Sequence, residues 1–466
     1  PPAAENLSAK VGSITPTVGT EWRTYSVPIK DYREDFSWGS RNDYLRFDFG
    51  TVPDVDISLR KISIRSFTPE EQREQAEKDS IKAAKERMAE NIKAYLNATY
   101  ASSVKQVNVT ADEVTVTGEC SGDGTFALAD IAPYDDVTEE TEYYIAASLP
   151  NGQFSVTLPR MAERSGFNYD RVLSKWAIVK TDGERHTLAS HARYADEVTP
   201  QYVAEPGVLK GKKGIAAGLG ATYISDFDNL QAHSITMNIV LNTFISTSYQ
   251  SGWTSYSYGG RTYYINQGAF TQLDEVTRAA HERGVIVSGI LLTSTGSIFN
   301  DPENTGGYYT MPNMTTPDDS WTNMGEQPEM RYYDRYMKSM RMCYNIIRQY
   351  DPNASILGSY THNWNFEAEI NSPRLMLEQN VQYSEKEGDF RWGVAYHPYP
   401  IDLTRPEFWK NDRANATFSN NSTYVTFLNP EVINAWILNP AHFYKDGTKR
   451  ILFFSEQGTN SDRKST

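Results

Sequence analysis

One carboxylate stands out by its position. Glu456 closes the strand that begins with the apolar run Ile451-Leu452-Phe453-Phe454 and is followed by Gln457-Gly458. A charge at the top of a buried strand is costly unless it is paired or functional. The alternative to chemistry here is a structural ion pair with Arg or Lys. The same pattern recurs on other apolar stretches. Trp392-Gly393-Val394-Ala395-Tyr396 runs into His397-Pro398-Tyr399, Ser355–Tyr360 into His362-Asn363-Trp364, and Ile235–Leu241 into Asn242. Glycosidic cleavage needs one carboxyl group to protonate the leaving oxygen and another to attack or to activate water. In that chemistry Glu456 is the nucleophile. His397 and Tyr399 donate to it or to substrate hydroxyls, and Trp364 offers a face on which a sugar stacks. His362, Asn363, Asn242 and Trp321 complete the expected substrate-binding set. A lone His is more often structural than functional, but His397 and Tyr399 come as a pair at one strand end.

Several strands and helices must position these residues. After Val198, apolar strands alternate with helical stretches, the signature of βαβ units. Ile235–Asn242, Val285–Leu292, Ser355–Tyr360, Trp392–His397 and Ile451–Glu456 read as strands. Gln272–Arg283 and Tyr332–Tyr350 read as helices, closed by Gly284 and by Asp351-Pro352-Asn353. In a (β/α)8 barrel the reactive residues lie where a strand ends and its loop begins. The expectation for residues 199–466 is therefore a (β/α)8 TIM-type catalytic barrel.

The N-terminal part reads differently. Residues 21–67 alternate apolar and polar at period two, as half-buried strands do. A β-sandwich over 1–67 is expected, similar to jelly-roll carbohydrate-binding modules or acting only as a structural support. Thr68-Pro69-Glu70-Glu71 is a helix start, with Thr as N-cap and Pro at the first helical position. The charged stretch over 68–100 becomes a solvated linker helix. Residues 101–198 return to β patterning and suggest a second, immunoglobulin-like domain of scaffolding role.

Ser455-Glu456-Gln457-Gly458, with Tyr396-His397-Pro398-Tyr399 one strand earlier, resembles the barrels of clan A of the retaining glycoside hydrolases. Closer still is the similarity to an uncharacterised bacterial family of unproven glycosidases. It is carried by Lys175-Trp176-Ala177, Arg193–Val198, Met311–Pro317, Trp321–Gly325 and Arg348–Pro352, and covers roughly residue 100 to the end. The resemblance implies a Glu nucleophile ending strand seven, matched by Glu456, and an acid/base Glu ending strand four. The second is missing. Thr315–Trp321 has no Asn-Glu pair and too few residues for a helix and a strand. The chain also reaches Thr466 without an eighth unit to close a barrel. The expectation is a splice near Asp318–Asp319, a missing tail, and an acid/base Glu outside these 466 residues. Glu326, in the loop Gly325–Pro328, is the nearest carboxylate at hand.

Composition narrows the function classes. A formal net charge of -14 argues against nucleic acid. No stretch approaches the roughly 18 apolar residues of a membrane helix. With 30 Tyr and 9 Trp the chain is rich in flat faces, which suit sugar rings but also fill β-domain cores. Cys120 and Cys343 are expected as reduced thiols. No metal-ligand spacing, nucleotide-binding Gly motif or Gly-x-Ser-x-Gly elbow is present, so no cofactor and no metal are expected. The reading is a glycosidase acting on a poly- or oligosaccharide by a retaining two-carboxylate mechanism. Its substrate class implies a secreted, periplasmic or cell-surface location. The rival is a non-catalytic glycan-binding protein with a degenerate barrel.

Overall fold

The computed structural model describes Trp22, residues 60–61 and residues 65–459, except 134, 136, 138–142, 165, 204, 220–223, 259–260, 293–329, 366–371 and 406. The sandwich expected over 1–67 lies almost wholly outside the described residues, as do the stretch 315–321, Trp321 and Glu326. The chain divides into two units, Pro1–Glu74 and Gln75–Thr466. The domain boundary expected at residue 198 falls inside the second.

Helix α1 (Pro69–Asn97) begins where the sequence indicates. The Thr68 hydroxyl accepts from the Glu71 peptide N–H at 3.2 Å, and the Glu71 carboxylate accepts from the Thr68 N–H at 2.8 Å. This reciprocal capping box satisfies two otherwise orphaned donors. The helix is not solvated throughout, because Ile92, Tyr95 and Leu96 near its C-terminus are buried in the main core.

The strands that follow are β1 (Ser103–Val109), β2 (Glu113–Cys120), β3 (Thr125–Ile131), β4 (Tyr144–Leu149), β5 (Gly152–Pro159), β6 (Met161–Arg164), β7 (Phe167–Asp170), β8 (Lys175–Asp182), β9 (Arg185–Leu188) and β10 (Glu197–Val198). They form two four-stranded sheets, β10-β1-β2-β5 and β4-β3-β8-β9, and a β6-β7 ribbon. Val107, Val109, Val114 and Val116 of the first sheet share a core with Phe126, Leu128, Trp176 and Ile178 of the second. The second sheet is buried on its other face too, where Ala127, Ala129, Ala177 and Val179 join the main core. That double burial explains why β8 begins Lys-Trp-Ala-Ile-Val with no exposed position among the five.

Beyond residue 200 come β11 (Gly214–Ala217), α2 (Ile224–Asn229), β12 (Ser234–Val240), β13 (Ile245–Ser246), β14 (Thr254–Tyr258), β15 (Arg261–Ile265), α3 (Gln267–Glu282) and β16 (Ile286–Leu292). They are followed by α4 (Met330–Tyr350), β17 (Ile356–Tyr360), α5 (Pro373–Glu387), β18 (Trp392–Tyr396), α6 (Phe408–Asn411), α7 (Glu431–Ile437) and β19 (Leu452–Phe454). The expected strands and helices are present, with ends shifted by a few residues. They do not close into a (β/α)8 barrel. Among the described residues the parallel strands form two separate three-stranded sheets, β11-β12-β16 and β17-β18-β19. A third three-stranded sheet, β13-β15-β14, is antiparallel. Six parallel strands with no ladder between their two sheets cannot close an eight-stranded ring.

Each parallel sheet has its own core. Ile235, Met237 and Val285 pack with Phe227, Val276, Ala279 and Ala280. Trp392, Val394 and Tyr396 pack with α4, α5 and α7 through Tyr336, Met340, Leu377, Ile433 and Trp436.

Candidate functional site

Strands β17, β18 and β19 run parallel and end together, with Tyr360 opposite Tyr396 and Tyr396 opposite Phe454. The ladder continues one step further. The His397 N–H donates to the Tyr360 carbonyl at 2.8 Å, and the Ser455 N–H to the Tyr396 carbonyl at 3.1 Å. The residues after all three strands therefore emerge at one sheet edge. This is the end at which α/β sheets present ligand-binding side chains.

There the structure brings together three predicted residues and one that the sequence did not single out. The Tyr399 hydroxyl donates to Glu456 Oε2 at 3.3 Å. His397 Nδ1 stands 3.6 Å from the same oxygen, and His397 Nε2 lies 3.2 Å from Ser359 Oγ. The rings of His397 and Tyr399 meet edge-on, 6.4 Å apart at 89°. Glu456 keeps 46% of its side chain exposed, whereas His397 keeps 19%. Among the described residues no Arg or Lys pairs with Glu456, so the structural ion-pair alternative has no partner there.

Ser359 is held by its backbone as well. Its N–H donates to the Tyr336 hydroxyl at 2.7 Å, and that hydroxyl is 3.1 Å from the Ser359 carbonyl. Tyr336 belongs to the buried side of α4, so the long helix fixes the strand on which His397 leans. Nothing in the sequence marks Ser359, because a serine inside a strand reads as ordinary alternation.

Burial favours the neutral form of the two imidazoles at this sheet edge. Burial lowers the His397 pKa below its usual 6.5, with Glu456 opposing the shift. Burial, and then the proximity of His397, lower that of His362. Desolvation and the Glu456 charge raise the Tyr399 pKa, which keeps its proton available for donation. If the neutral ring of His397 carries its proton on Nδ1, it turns that proton toward Glu456 and leaves Nε2 as the acceptor for Ser359. His362 stacks on Tyr424, ring centroids 5.6 Å apart at 25°, and its buried Nδ1 has no hydrogen-bond partner.

The other predicted residues are placed differently. Trp364 is fully buried, donates its ring N–H to the Asn420 carbonyl at 3.0 Å, and meets Tyr396 and Trp436 edge-on. It belongs to the core and offers no face to a sugar. Asn363 is 8% exposed on the same loop. Asn242 lies in the 3-10 turn Leu241–Thr243 after β12, on the other parallel sheet. Trp321 is outside the described residues. Among the described residues no group of three His, Cys, Asp or Glu could hold a metal ion, and no helix is long and apolar enough to cross a membrane. Cys120 and Cys343 are free.

Comparison with known proteins adds a family. Residues 206–320 and 317–466 match the model of a family of unknown function, DUF5722. No curated protein matches the chain. Among solved structures, the product complex of a multi-modular glycogen-degrading pneumococcal virulence factor, SpuA, aligns at 9% identity and a TM-score of 0.24, over 67% of this chain and 38% of that one. The catalytic module of the same protein with an inhibitor gives the same identity and TM-score, over 67% and 52%. The chain thus spans about half or less of the structures it is aligned with, and so low a likeness carries no argument about its fold or activity.

Proposed function

The chain belongs to DUF5722, a family of unknown function, and from its site we propose that it is a glycoside hydrolase in which Glu456 is the nucleophile. The observation that carries this reading is a solvent-accessible carboxylate at the end of a parallel strand, held by the Tyr399 hydroxyl and flanked by a neutral imidazole. A nucleophile must be oriented and reachable, and these contacts support both. In the retaining mechanism Glu456 attacks the anomeric carbon to form a glycosyl-enzyme. A second carboxyl group, about 5–5.5 Å away, protonates the leaving oxygen and then activates water. Its substrate class gives such an enzyme a secreted, periplasmic or cell-surface location.

The test is turnover of a panel of aryl glycosides and polysaccharides by Glu456→Gln. Loss of turnover with glycan binding retained is expected, because the amide keeps the shape and removes only transition-state stabilisation. Near-normal turnover would remove the nucleophile assignment. If the parent chain binds glycans and cleaves none, the non-catalytic glycan-binding reading replaces hydrolysis.

One specific contact order favours a second reading. Ser359 Oγ, His397 Nε2, His397 Nδ1 and Glu456 follow one another as in an acyl-transfer relay. Ser359, however, lies within β17 rather than on the strained strand-to-helix turn of a nucleophile elbow, and its φ is not positive. Ester hydrolysis that Ser359→Ala abolishes would shift the assignment to this relay.

A further inference from the structure

The antiparallel sheet β13-β15-β14 is a separate sheet from β17-β18-β19, which carries Glu456 beyond its end, and it is rich in tyrosine and nearly free of charge. Residues 242–265 hold five tyrosines, one tryptophan, five serines and four threonines, with Arg261 as their one charged residue, in a protein of net charge -14. Every residue of β14 is exposed, with Tyr256 at 54% and Tyr258 at 42%.

Register explains how the rings are arrayed. Tyr256 and Tyr258 are two apart on one strand and so share a face, and Tyr263 lies directly opposite Tyr256 on β15. On the opposite face Tyr249, 74% exposed, meets Tyr264 edge-on at 5.5 Å. Side chains of this size are seldom left in water without a use when they recur along one strand face.

We infer that this hairpin is a binding platform for a neutral polysaccharide, with the Tyr256, Tyr258 and Tyr263 rings stacking on sugar faces and the interleaved hydroxyls bonding to sugar hydroxyls. Charge decides the class of ligand. A polyanion needs concentrated Lys or Arg, and a basic partner needs carboxylates, but this stretch carries one guanidinium and no carboxylate. A neutral polyol needs neither. Aromatic rings with a polar tip meet both the apolar CH face and the hydroxyl rim of a sugar. β14 is also an edge strand, so pairing with a second copy is the competing occupant.

The platform rests on the carbohydrate reading of the chain but not on cleavage at Glu456. Binding is therefore read in full-length Glu456→Gln protein, by affinity electrophoresis through gels containing an α-glucan, a mixed-linkage β-glucan, a galactomannan, or polygalacturonate as the anionic control. Retardation by at least one neutral polymer is expected, weakened about 3- to 10-fold by Tyr256→Ala and by Tyr258→Ala and retained in the Phe variants. In the unsubstituted chain the same polymer is expected to protect Tyr256 and Tyr258 from nitration, which needs no variant to fold. The inference is overturned by absence of retardation in every neutral gel, by unchanged affinity in both Ala variants, or by preference for polygalacturonate. It is equally overturned by a dimer that the Ala variants dissolve, which would make a second copy the occupant. Loss of turnover at Glu456 is a separate readout and decides only the nucleophile.

Discussion

At the scale of single residues, the site depends on one oxygen of Glu456, approached by a phenol at 3.3 Å and an imidazole at 3.6 Å. A hydrogen bond to a charged group contributes about 1.5–3 kcal/mol. Tyr399→Phe is therefore expected to lower kcat about 10- to 100-fold if the bond strengthens in the transition state. Steady-state kinetics would read this as a fall in kcat with little change in KM.

The histidines make a second prediction at this scale. The pKa values of His362, His397 and His191 are all pushed below the ordinary 6.5 by burial. Below pH 6.5 the unfolded chain binds protons that the folded chain refuses, so folding stability rises with pH in that window. The stability these groups contribute is present above pH 6.5 and is lost as pH falls through their folded values. Urea unfolding at about pH 7.5 and about pH 5.5 should show the loss, and His362→Phe, which can still stack on Tyr424, should reduce it. An equal acid sensitivity in the variant would contradict the assignment.

At the scale of elements, the site exists because three strands end in register, and that register needs close approach between them. A Cβ on Gly393 would lie 2.5 Å from a Leu357 methyl and 3.0 Å from the Ile451 carbonyl oxygen. These belong to the neighbouring strand β17 and to the residue just before β19. Gly393→Ala is expected to cost about 1–3 kcal/mol, as overpacking does, and to loosen the alignment of His397 with Glu456. Thermal unfolding reads the first effect. An unchanged melting temperature would mean that the sheet has slack the geometry does not show.

The elements were also the most legible level of the sequence. β patterning marked the strands of 101–198 as a group, and apolar runs marked β12, β16, β17 and β18. The Thr68–Glu71 pair marked the start of α1. The relation between Ser359 and His397 was not legible, because it joins residues 38 positions apart through a strand pairing that local pattern does not encode. Trp364 misled for a related reason. Its place after a strand suggested a loop platform, whereas its burial comes from Tyr396 and from Trp436, far away on α7.

At the scale of the whole molecule, strand order alone suggested a closed barrel, and the described residues form two parallel sheets instead. Counting βαβ units indicates parallel pairing but not closure, which depends on strand number and stagger across the entire ring. Within the unit Gln75–Thr466 the β domain and the strand-helix region are joined by buried hydrogen bonds. Tyr95 of α1 donates to buried Glu387 at the end of α5 at 2.8 Å, and Arg341 of α4 donates to the Ala195 carbonyl at 2.7 Å. α4, packed between the β-sheets and β17, thus links the scaffold to the residues around Glu456. The central claim is that Glu456 forms a covalent bond to a sugar. The most direct test is intact-protein and peptide mass spectrometry after incubation with a panel of 2-deoxy-2-fluoro glycosides, which trap glycosyl-enzymes. The account predicts one added glycosyl mass on the peptide carrying Glu456, absent in Glu456→Gln. A label on a different carboxylate, or one that persists in Glu456→Gln, would contradict it.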